Sequence, residues 1–278
     1  MIWKSQQRTL DLSRQSRVMG ILNTTPDSFS DGGKFNHHAS AMVHARRMIA
    51  EGATIIDVGG ESTRPGATPV GQATELARTI PIIRQLRSEW DGWISIDTTK
   101  AAVAEAALLA GADIVNDISG LLEDPEMPRV CAQFRCAIVV MHRQGNSLTM
   151  QNDPRYGDVG NEVANFFQQR HRDLLGAGIF SEAMCFDPGI GFGKTLEHNL
   201  TLLRNLPEFL KIGRPILLGV SRKSMIAKLL ENSEIGLRDW PTVAISSWAR
   251  AQGITLHRVH EVKRHVEALK MVDAVLNC

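Results

Sequence analysis

The sequence predicts an α/β fold, a single-domain (β/α)8 TIM barrel that spans residues 1–278. Short apolar runs recur along the whole chain, helical patterns lie between them, and no linker-like stretch interrupts the series. The 278 residues also suit this fold, because barrels of this kind typically have about 250. An open doubly wound sheet of eight strands would give the same count, and periodicity alone does not separate the two.

Eight apolar runs are the candidate strands. They are apolar at nearly every position, which indicates parallel strands buried beneath helices. In chain order they are VMGIL from Val18, TIIDV from Thr54, WISID from Trp93, DIVND from Asp113, CAIVVM from Cys136, MCFD from Met184, PILLGV from Pro215 and ITLHRVH from Ile254.

The segments between these runs are candidate helices. Five of them have apolar residues at spacings of three and four, which is the repeat of one buried helix face. They are residues 39–51, 72–90, 101–110, 159–175 and 196–210. The regular alternation of such helices with apolar strands indicates one domain.

Composition excludes several classes of protein. The 31 Lys and Arg residues balance 30 Asp and Glu, and no basic tract is present, so we expect no nucleic-acid partner. No apolar stretch approaches the roughly 20 residues of a membrane span, and residues 1–10 do not resemble a signal peptide. We therefore expect a cytoplasmic protein without a membrane partner. Four scattered cysteines are too few for a disulfide framework and should be buried or terminal thiols.

Polar residues end most of the predicted strands. Because the carboxyl ends of barrel strands meet at one rim, these side chains should converge on a pocket there. A single such residue is ordinary, since helix N-caps favour the same residue types, but a whole set favours a functional site. The set comprises Asn23, Asp97, Asn116, Asp117, His142, Asp187, Arg258 and His260.

Two long polar loops should lie at the same rim, one after the first strand at about 23–36 and one after the second at about 59–70. Their Ser, Thr, Asp and Gly content is typical of loops, and plain surface turns would explain it. Two such loops on one rim are better explained as lids over a reacting pair of substrates.

The glycine-rich segment from Asp187, DPGIGFGKT, suggests a phosphate-binding loop but lacks a required glycine. Pro188 occupies the position five residues before Gly193 and has no N–H to offer a phosphate. We interpret the segment as a flexible strand-to-helix turn beside a ligand.

The last two strands suggest an anion site. Gly219, Ser221 and Lys223 alternate along the seventh strand and should share one face. Arg258 and His260 are likewise two residues apart, and a guanidinium beside an imidazole suits an anionic group. The chain has no H-E-x-x-H motif or Cys/His cluster, so we do not expect zinc.

Taken together, eight strings resemble the dihydropteroate synthase family, in order and over nearly the whole chain. They are GILNTTPDSFSDGGKF, DVGGESTRPGA, SIDTTK, AGADIVNDISG, MH with the nearby QG, FDPGIGFGKT, GVSRKSMI and RVHEV. The resemblance implies a barrel enzyme, usually homodimeric, that joins 4-aminobenzoate to 6-hydroxymethyl-7,8-dihydropterin diphosphate in folate biosynthesis and releases diphosphate. It also implies that sulfonamides, which mimic 4-aminobenzoate, compete for the second site.

The resemblance further implies roles for particular residues. The pterin contacts would be Asp97, Asn116, Ile118, Met141, Asp187, Phe192, Gly219 and Lys223. The diphosphate would contact Asn23, Arg258 and His260, with Asn23 also holding Mg²⁺ as a cofactor. The 4-aminobenzoate contacts would be Thr63, Arg64, Pro65, Phe192 and Ser221. The catalytic residues would be Asp97, Lys223, Arg258, His260 and Asp31, the last of which would order the first loop.

Two other functions fit the same pterin pocket. A pterin-dependent methyltransferase shares the barrel, but it does not need the Arg258 and His260 pair or the STRPGA loop. A non-catalytic pterin-binding relative would be expected to lack some loop or diphosphate residues, and every one of them is present here. The sequence therefore favours a working synthase.

Overall fold

The protein forms a barrel of eight parallel strands surrounded by helices, preceded by an antiparallel hairpin. The computed structural model describes residues 1–25, 34–62, 66–146 and 149–278, and only the backbone of 34–37. The hairpin strands are β1 Ile2–Lys4 and β2 Thr9–Asp11. The barrel strands are β3 Arg17–Asn23, β4 Ile55–Gly59, β5 Trp93–Asp97, β6 Ile114–Asp117, β7 Ala137–Met141, β8 Met184–Asp187, β9 Leu217–Leu218 and β10 Leu256–Val259.

Helices connect the strands on the outside of the barrel. They are α1 Lys34–Ala50, α2 Gln72–Glu89, α3 Ala101–Leu109, α4 Met127–Phe134, α5 Val159–Gly176, α6 Leu196–Arg204, α7 Leu206–Phe209, α8 Ser224–Leu229, α9 Asp239–Ala251 and α10 Val262–Leu276. Short 3₁₀ helices lie at Ser181–Ala183, Leu210–Ile212 and Gly236–Arg238. In the described part of the chain, no helix is both long enough and apolar enough to cross a membrane.

The strands follow one another around a ring, which decides between the two predicted architectures. Strands β3 to β8 pair in chain order, β10 pairs with β3, and β9 pairs with β10. The ring returns to β8 through a parallel bridge between Phe186 and Ile216, and the Phe186 N–H donates to the Pro215 carbonyl at 2.9 Å. The fold is therefore a barrel, as predicted, and not an open sheet.

The strand register places the polar strand ends in one row. Asn23 pairs with Gly59, Gly59 with Asp97, and Asp97 with Asn116. On the other side of the barrel, Asp187 pairs with Met141. The predicted convergence at the carboxyl rim is thus a direct result of parallel pairing.

Alternate strand residues contribute to two separate apolar layers. Ile55 and Trp93 lie in the barrel interior, whereas Ile56 and Ile94 pack against the surrounding helices. The interior layer includes Trp3 from β1, whose indole stacks on Trp93 with ring centroids 6.0 Å apart. Since Trp93 begins β5, the hairpin covers the amino-terminal end of the barrel.

Several sequence predictions were wrong in detail. The predicted helix over 196–210 is two helices that meet at Asn205, and α1 begins at residue 34 instead of 39. The seventh strand stops at Leu218, so Gly219, Ser221 and Lys223 do not share a strand face. The chain turns at Arg222, four residues beyond the strand. Arg222 has a left-handed φ of +58°, and its Nε lies 2.7 Å from Asp239 Oδ1.

The cysteine prediction is confirmed. Cys131, Cys136 and Cys185 are buried free thiols, and Cys278 is exposed at the end of the chain. Burial in an apolar environment raises the pKa of the Cys185 thiol, since the thiolate is disfavoured there.

Asp113 attaches the hairpin to the barrel, and its replacement by Ala should destabilise the fold. Its carboxylate, 7% exposed, accepts from Arg8 Nε at 2.9 Å and from Arg87 Nη2 at 2.6 Å. Asp113→Ala leaves both guanidinium groups without this buried partner and should lower the free energy of unfolding by about 3 kcal/mol. Asp91→Ala is the matched control, because Asp91 also pairs with Arg8 but is 97% exposed, and it should cost less than about 1 kcal/mol. Urea unfolding measures both, and equal losses would contradict the assignment.

Candidate active site

A cavity of about 350 Å³ opens at the carboxyl rim of the barrel. Seven of the predicted site residues line it: Asn23, Phe192, Gly219, Ser221, Lys223, Arg258 and His260. The remaining lining residues were not predicted from the sequence, and they are Ile21, Ser62, Gly191, Arg222, Ser224, Ile235 and Arg238. The cavity therefore includes residues from β3, near the start of the chain, and from β10, near its end, because these two strands pair when the barrel closes.

Arg258 connects the predicted diphosphate residues with the predicted pterin residues. Its Nε lies 2.6 Å from Asp57 Oδ2, and its Nη2 lies 2.6 Å from Asp97 Oδ2. Asn116 Nδ2 donates to the same Asp57 oxygen at 3.1 Å. Four side chains from four strands thus form one hydrogen-bonded group, which we call the Arg258 network. Charge-assisted bonds of this kind hold the guanidinium in a fixed orientation.

Asp97 is buried in this network and retains unused accepting capacity. Burial raises the pKa of its carboxyl to about 7, although the Arg258 charge opposes this effect. The nearby Asp57 carboxylate raises the Asp97 pKa further, since two negative charges repel. Among the described residues, Asp97 Oδ1 and Asp57 Oδ1 have no hydrogen-bond partner. A ligand with N–H donors would satisfy such an oxygen.

Asp187 forms the opposite side of the site. Its Oδ1 accepts the Gly189 N–H at 2.7 Å, and a β-carbon at Gly219 would lie 3.6 Å from its Oδ2. Burial raises the pKa of this carboxyl to about 6, opposed by the Gly189 hydrogen bond and by Lys223. Asp187 is therefore a third buried carboxylate at the rim, after Asp57 and Asp97.

Lys223 and Phe192 form a cation–π pair at the cavity wall. The Lys223 Nζ lies 3.9 Å from the centroid of the Phe192 ring, well within the range of this interaction. The ring also packs in one apolar cluster with Ile118, Met141 and Met150. The structure thus brings together the apolar pterin contacts predicted from the resemblance and shows Met150 as an additional member.

His260 is oriented by Ser221. The serine Oγ accepts the His260 backbone N–H at 3.1 Å and lies 2.9 Å from Nδ1 of the imidazole. Because β10 ends at Val259, His260 lies just beyond the strand, next to Arg258 at the cavity. The predicted guanidinium and imidazole pair is present at this rim.

The glycine-rich turn after Asp187 fits closely against the end of β7. Gly189 has a φ of +66°, and a β-carbon there would lie 1.9 Å from the His142 carbonyl oxygen. No other residue fits this position without moving the backbone. The close contact fixes the distance between the strand end and the turn.

Two buried side chains hold the rest of this turn. Lys194 Nζ donates to the Phe192 carbonyl at 2.9 Å and lies 3.0 Å from His142 Nδ1. Asn199 Oδ1 accepts the Gly191 N–H at 2.7 Å. Burial lowers the pKa of Lys194 to about 7, because the ammonium is removed from water. The turn was expected to be flexible, but these bonds restrain it and so position Phe192.

Four predicted site residues lie outside the described residues: Asp31, Thr63, Arg64 and Pro65. Their roles stay predictions. The central parts of the two predicted lid loops, residues 26–33 and 63–65, also lie outside the described residues, so their role as lids stays a prediction.

Asp57, Lys194 and Asn199 were missed as site residues. Asp57 carried a usable signal, because it is a charged residue in a strand that is otherwise wholly apolar, IIDVG. A buried carboxylate requires a partner, and that requirement alone predicts a cation nearby. Asn199 carried no such signal, because an amide on an amphipathic helix is ordinary.

The sequence matches a family model described as pterin binding enzyme over residues 19–260. A dihydropteroate synthase from Synechocystis is 50% identical, with 97% of this chain and 93% of that protein covered. A Yersinia pestis dihydropteroate synthase, solved with a sulfonamide drug complex, superposes with a TM-score of 0.94 at 44% identity over all of both chains. The Xanthomonas albilineans dihydropteroate synthase with 4-aminobenzoic acid gives a TM-score of 0.91 at 40% identity, covering 99% and 98% of the two chains.

The fold is thus that of a pterin-binding barrel enzyme. Within that class, the chain belongs to the dihydropteroate synthase family. It is accordingly a transferase, and the resemblance stated from the sequence motifs is confirmed.

Asp57 should be required for activity through Arg258. Asp57→Asn retains the shape but removes one of the two carboxylates that hold the guanidinium, so we expect a loss of about 100-fold in kcat/KM. Steady-state kinetics measures this loss, and thermal unfolding shows whether the fold survives. Asp91→Asn is the control, since it removes an exposed carboxylate partner of Arg8 and should leave kcat/KM unchanged. Normal turnover by a folded Asp57→Asn variant would show that Asp97 alone positions Arg258.

Proposed function

We propose that the protein condenses 6-hydroxymethyl-7,8-dihydropterin diphosphate with 4-aminobenzoate, giving 7,8-dihydropteroate and diphosphate in folate biosynthesis. The observation that carries this proposal is the Arg258 network. It joins a fixed cation to buried acceptors and an amide at the rim, next to Asn23 and His260. A substrate with a donor-rich ring and an anionic leaving group matches both halves of that arrangement.

The pterin ring would bind to Asp187, Asp97 and Asn116. A dihydropterin edge presents a ring N–H beside an exocyclic amine, and a carboxylate accepts both donors together. Asn116 can donate and accept along the same edge, since its amide has both kinds of group. The apolar cluster around Phe192 would cover the ring, with Lys223 above it.

The chemistry would be a displacement at the pterin methylene carbon. The bond from that carbon to the diphosphate oxygen breaks, and the electron pair leaves with the diphosphate. A bond to the aminobenzoate nitrogen forms, and that nitrogen then loses a proton. Arg258 and His260 would stabilise the negative charge that grows on the leaving group, because they are held in place before the reaction begins. Asp97 would stabilise the positive charge that develops on the pterin.

Asn23 would hold a magnesium ion together with the diphosphate. Its side chain lies at the end of β3 and lines the cavity, and an amide oxygen suits this ion. Among the described residues, no group of three or more His, Cys, Asp or Glu side chains could hold a metal. A single protein ligand fits Mg²⁺, which often takes its other ligands from substrate oxygens and water. When bound, the ion would neutralise charge on the leaving diphosphate.

The second substrate would bind between Phe192, Ser221 and the residues Thr63, Arg64 and Pro65. Phe192 and Ser221 line the cavity, and Arg64 would bind the carboxylate of 4-aminobenzoate. The Xanthomonas relative with 4-aminobenzoic acid and the Yersinia relative with a sulfonamide complex support 4-aminobenzoate as the second substrate. Sulfonamides should therefore compete here. Asp31 would help to order the first loop, which would exclude water from the reacting carbon.

The assembly we propose is a cytoplasmic homodimer. The last two helices support the dimer, since their large apolar side chains are exposed. Trp240 and Trp248 on α9 and Met271 on α10 are examples, and aromatic residues and Met are enriched at protein interfaces.

The decisive experiment is to incubate the purified protein with the pterin diphosphate, 4-aminobenzoate and Mg²⁺ and to follow diphosphate and dihydropteroate together. Equal amounts of both products would support the synthase. Diphosphate without dihydropteroate would mean that water captures the pterin carbon, which would place the fault in the residues around Thr63 and Arg64. Intact pterin binding with neither product would instead favour a non-catalytic pterin-binding protein.

Asp187→Asn should weaken pterin binding. The amide replaces one accepting oxygen by a donor, which leaves a pterin donor unpaired at a cost on the order of 1 to 3 kcal/mol and adds a repulsive contact. Calorimetry with the pterin diphosphate should show an affinity at least tenfold weaker. Asp173→Asn, on the exposed end of α5, serves as the control. Unchanged affinity in the folded Asp187→Asn variant would remove Asp187 from the pterin site.

Pterin binding should release protons at mildly acid pH. In the unliganded protein, burial raises the pKa of Asp187 to about 6 and that of Asp97 to about 7, so both carboxyls carry protons part of the time near pH 6. N–H donors of the ligand favour the ionised forms and lower both pKa values, so binding expels protons, and affinity falls as the pH drops below about 7, where Asp97 begins to protonate in the unliganded protein. Calorimetry in buffers of different ionisation enthalpy counts the protons. Proton uptake on binding would contradict this account.

A further inference from the structure

The start of α9 and the residue before it hold Arg222 at three of its groups. Asp239 accepts from the Arg222 guanidinium, at 2.7 Å from Nε and 3.0 Å from Nη2. The Thr242 hydroxyl accepts the Arg222 N–H at 3.3 Å, and Arg238 Nη1 donates to the Arg222 carbonyl at 3.1 Å. The side chain and both backbone polar groups of Arg222 are thus fixed by one short segment outside the barrel.

The conformation of Arg222 requires such support. Its φ is +58°, in the left-handed region that is unfavourable for residues with a β-carbon and favours glycine. Arg222 is the third residue of a turn in which the Lys223 N–H donates to the Val220 carbonyl at 3.3 Å. Asp239 is 7% exposed and binds the guanidinium through both carboxylate oxygens, which fixes the orientation of the pair. Asp239 therefore helps to hold the turn in this unfavourable conformation.

The residues on either side of Arg222 belong to the candidate active site. Ser221 Oγ lies 2.9 Å from Nδ1 of His260, and Lys223 Nζ lies 3.9 Å from the centroid of the Phe192 ring. These four residues all line the cavity. Residues 219–223 lie between β9 and α8, outside both elements, so a change in the backbone at Arg222 would move Ser221 and Lys223 together.

We propose that Asp239 is a positioning residue for the active site, acting through Arg222 on Ser221 and Lys223. The inference rests on the proposed function, because that function makes Ser221 and Lys223 contacts of the two substrates. Among the described residues, Arg222 lines the cavity and Asp239 does not. An effect of Asp239 on substrate binding must therefore pass through its neighbours.

A purely structural role for Asp239 is the first alternative, and Asp273 provides the matched control. The Asp273 carboxylate binds Arg250 Nε at 2.5 Å, and its side chain is 14% exposed, against 9% for the side chain of Asp239. It also accepts the Ser16 N–H at 2.7 Å, directly before β3, so this pair lies at the amino-terminal end of the barrel. Asp273→Asn should lower the thermal stability and leave both substrate affinities as in the wild type.

Asp239→Asn should raise the Kd of the pterin diphosphate and the KM for 4-aminobenzoate, each about fivefold, because the turn is no longer held. Calorimetry and steady-state kinetics measure the two constants, and circular dichroism shows that the variant is folded. A loss of stability alone would lower the active fraction and the apparent kcat without changing Kd or KM. Wild-type values of both constants in folded Asp239→Asn would overturn the proposal.

Arg222→Gly tests the route of the effect. Glycine adopts the left-handed conformation without support, so this variant should lose less pterin affinity than Asp239→Asn. Asp239→Asn should then add little to the loss in the double variant. The second alternative is that the Arg222 guanidinium binds the ligand directly. In that case Arg222→Gly would lose more affinity than Asp239→Asn, which would overturn the proposal.

Thr242→Val approaches the same turn from the backbone. It removes the hydroxyl that accepts the Arg222 N–H and keeps the shape of the side chain, so it should also raise the Kd of the pterin diphosphate. This variant replaces Asp239→Asn if the latter does not fold. An unchanged Kd in folded Thr242→Val would then count against the proposal.

A binding measurement separates this inference from the proposed reaction. Calorimetry of 4-aminobenzoate with 6-hydroxymethyl-7,8-dihydropterin and inorganic diphosphate present measures the second site without turnover. Wild-type protein that makes no dihydropteroate would refute the proposed function. Equal 4-aminobenzoate affinity in wild type and Asp239→Asn would refute the positioning role, whether or not the enzyme turns over.

Discussion

The contact of Arg258 with two buried carboxylates is the interaction on which the site depends. Asp57 and Asp97 lie on neighbouring strands, and without the guanidinium their charges would face each other away from water. With it, the same carboxylates orient a cation towards the cavity, and Asp57 also accepts from Asn116. One guanidinium thus neutralises the two carboxylates at the end of the barrel and prepares that end for an anionic ligand.

The location of the site could be predicted from the sequence, because parallel pairing brings the last residues of successive strands to one rim of the barrel. Every barrel strand begins within or near a predicted apolar run, and the polar residues that end those runs lie at one rim. The hairpin was not predictable, since three-residue strands such as Ile2–Lys4 carry too little periodicity. The turn at Arg222 was missed because its left-handed backbone accompanies a bond to Asp239, 17 residues away, which no local pattern encodes.

The candidate site residues likewise include some that the sequence predicted and some that it did not. Asp97, Asn116 and Asp187 were predicted as site residues because a charged or amide residue that ends an apolar strand is conspicuous. Lys194 and Asn199 were not predicted. They bind carbonyl and N–H groups of a turn, and those groups come together only in the folded chain. Polar side chains that end apolar strands therefore leave a signal in the sequence, whereas side chains that support the backbone of a turn leave little.

The pairing of β3 with β10 has a consequence for the order in which the molecule forms. Arg258 lies 201 residues from Asp57 and 161 from Asp97 along the chain, so the network is among the most non-local contacts in the fold. During synthesis both carboxylates emerge long before their counter-ion, and the first barrel strand has no β10 to pair with until the last twenty or so residues are made. Such contacts form late because loop closure must precede them. The Arg258 network can therefore be complete only once β10 has joined the barrel.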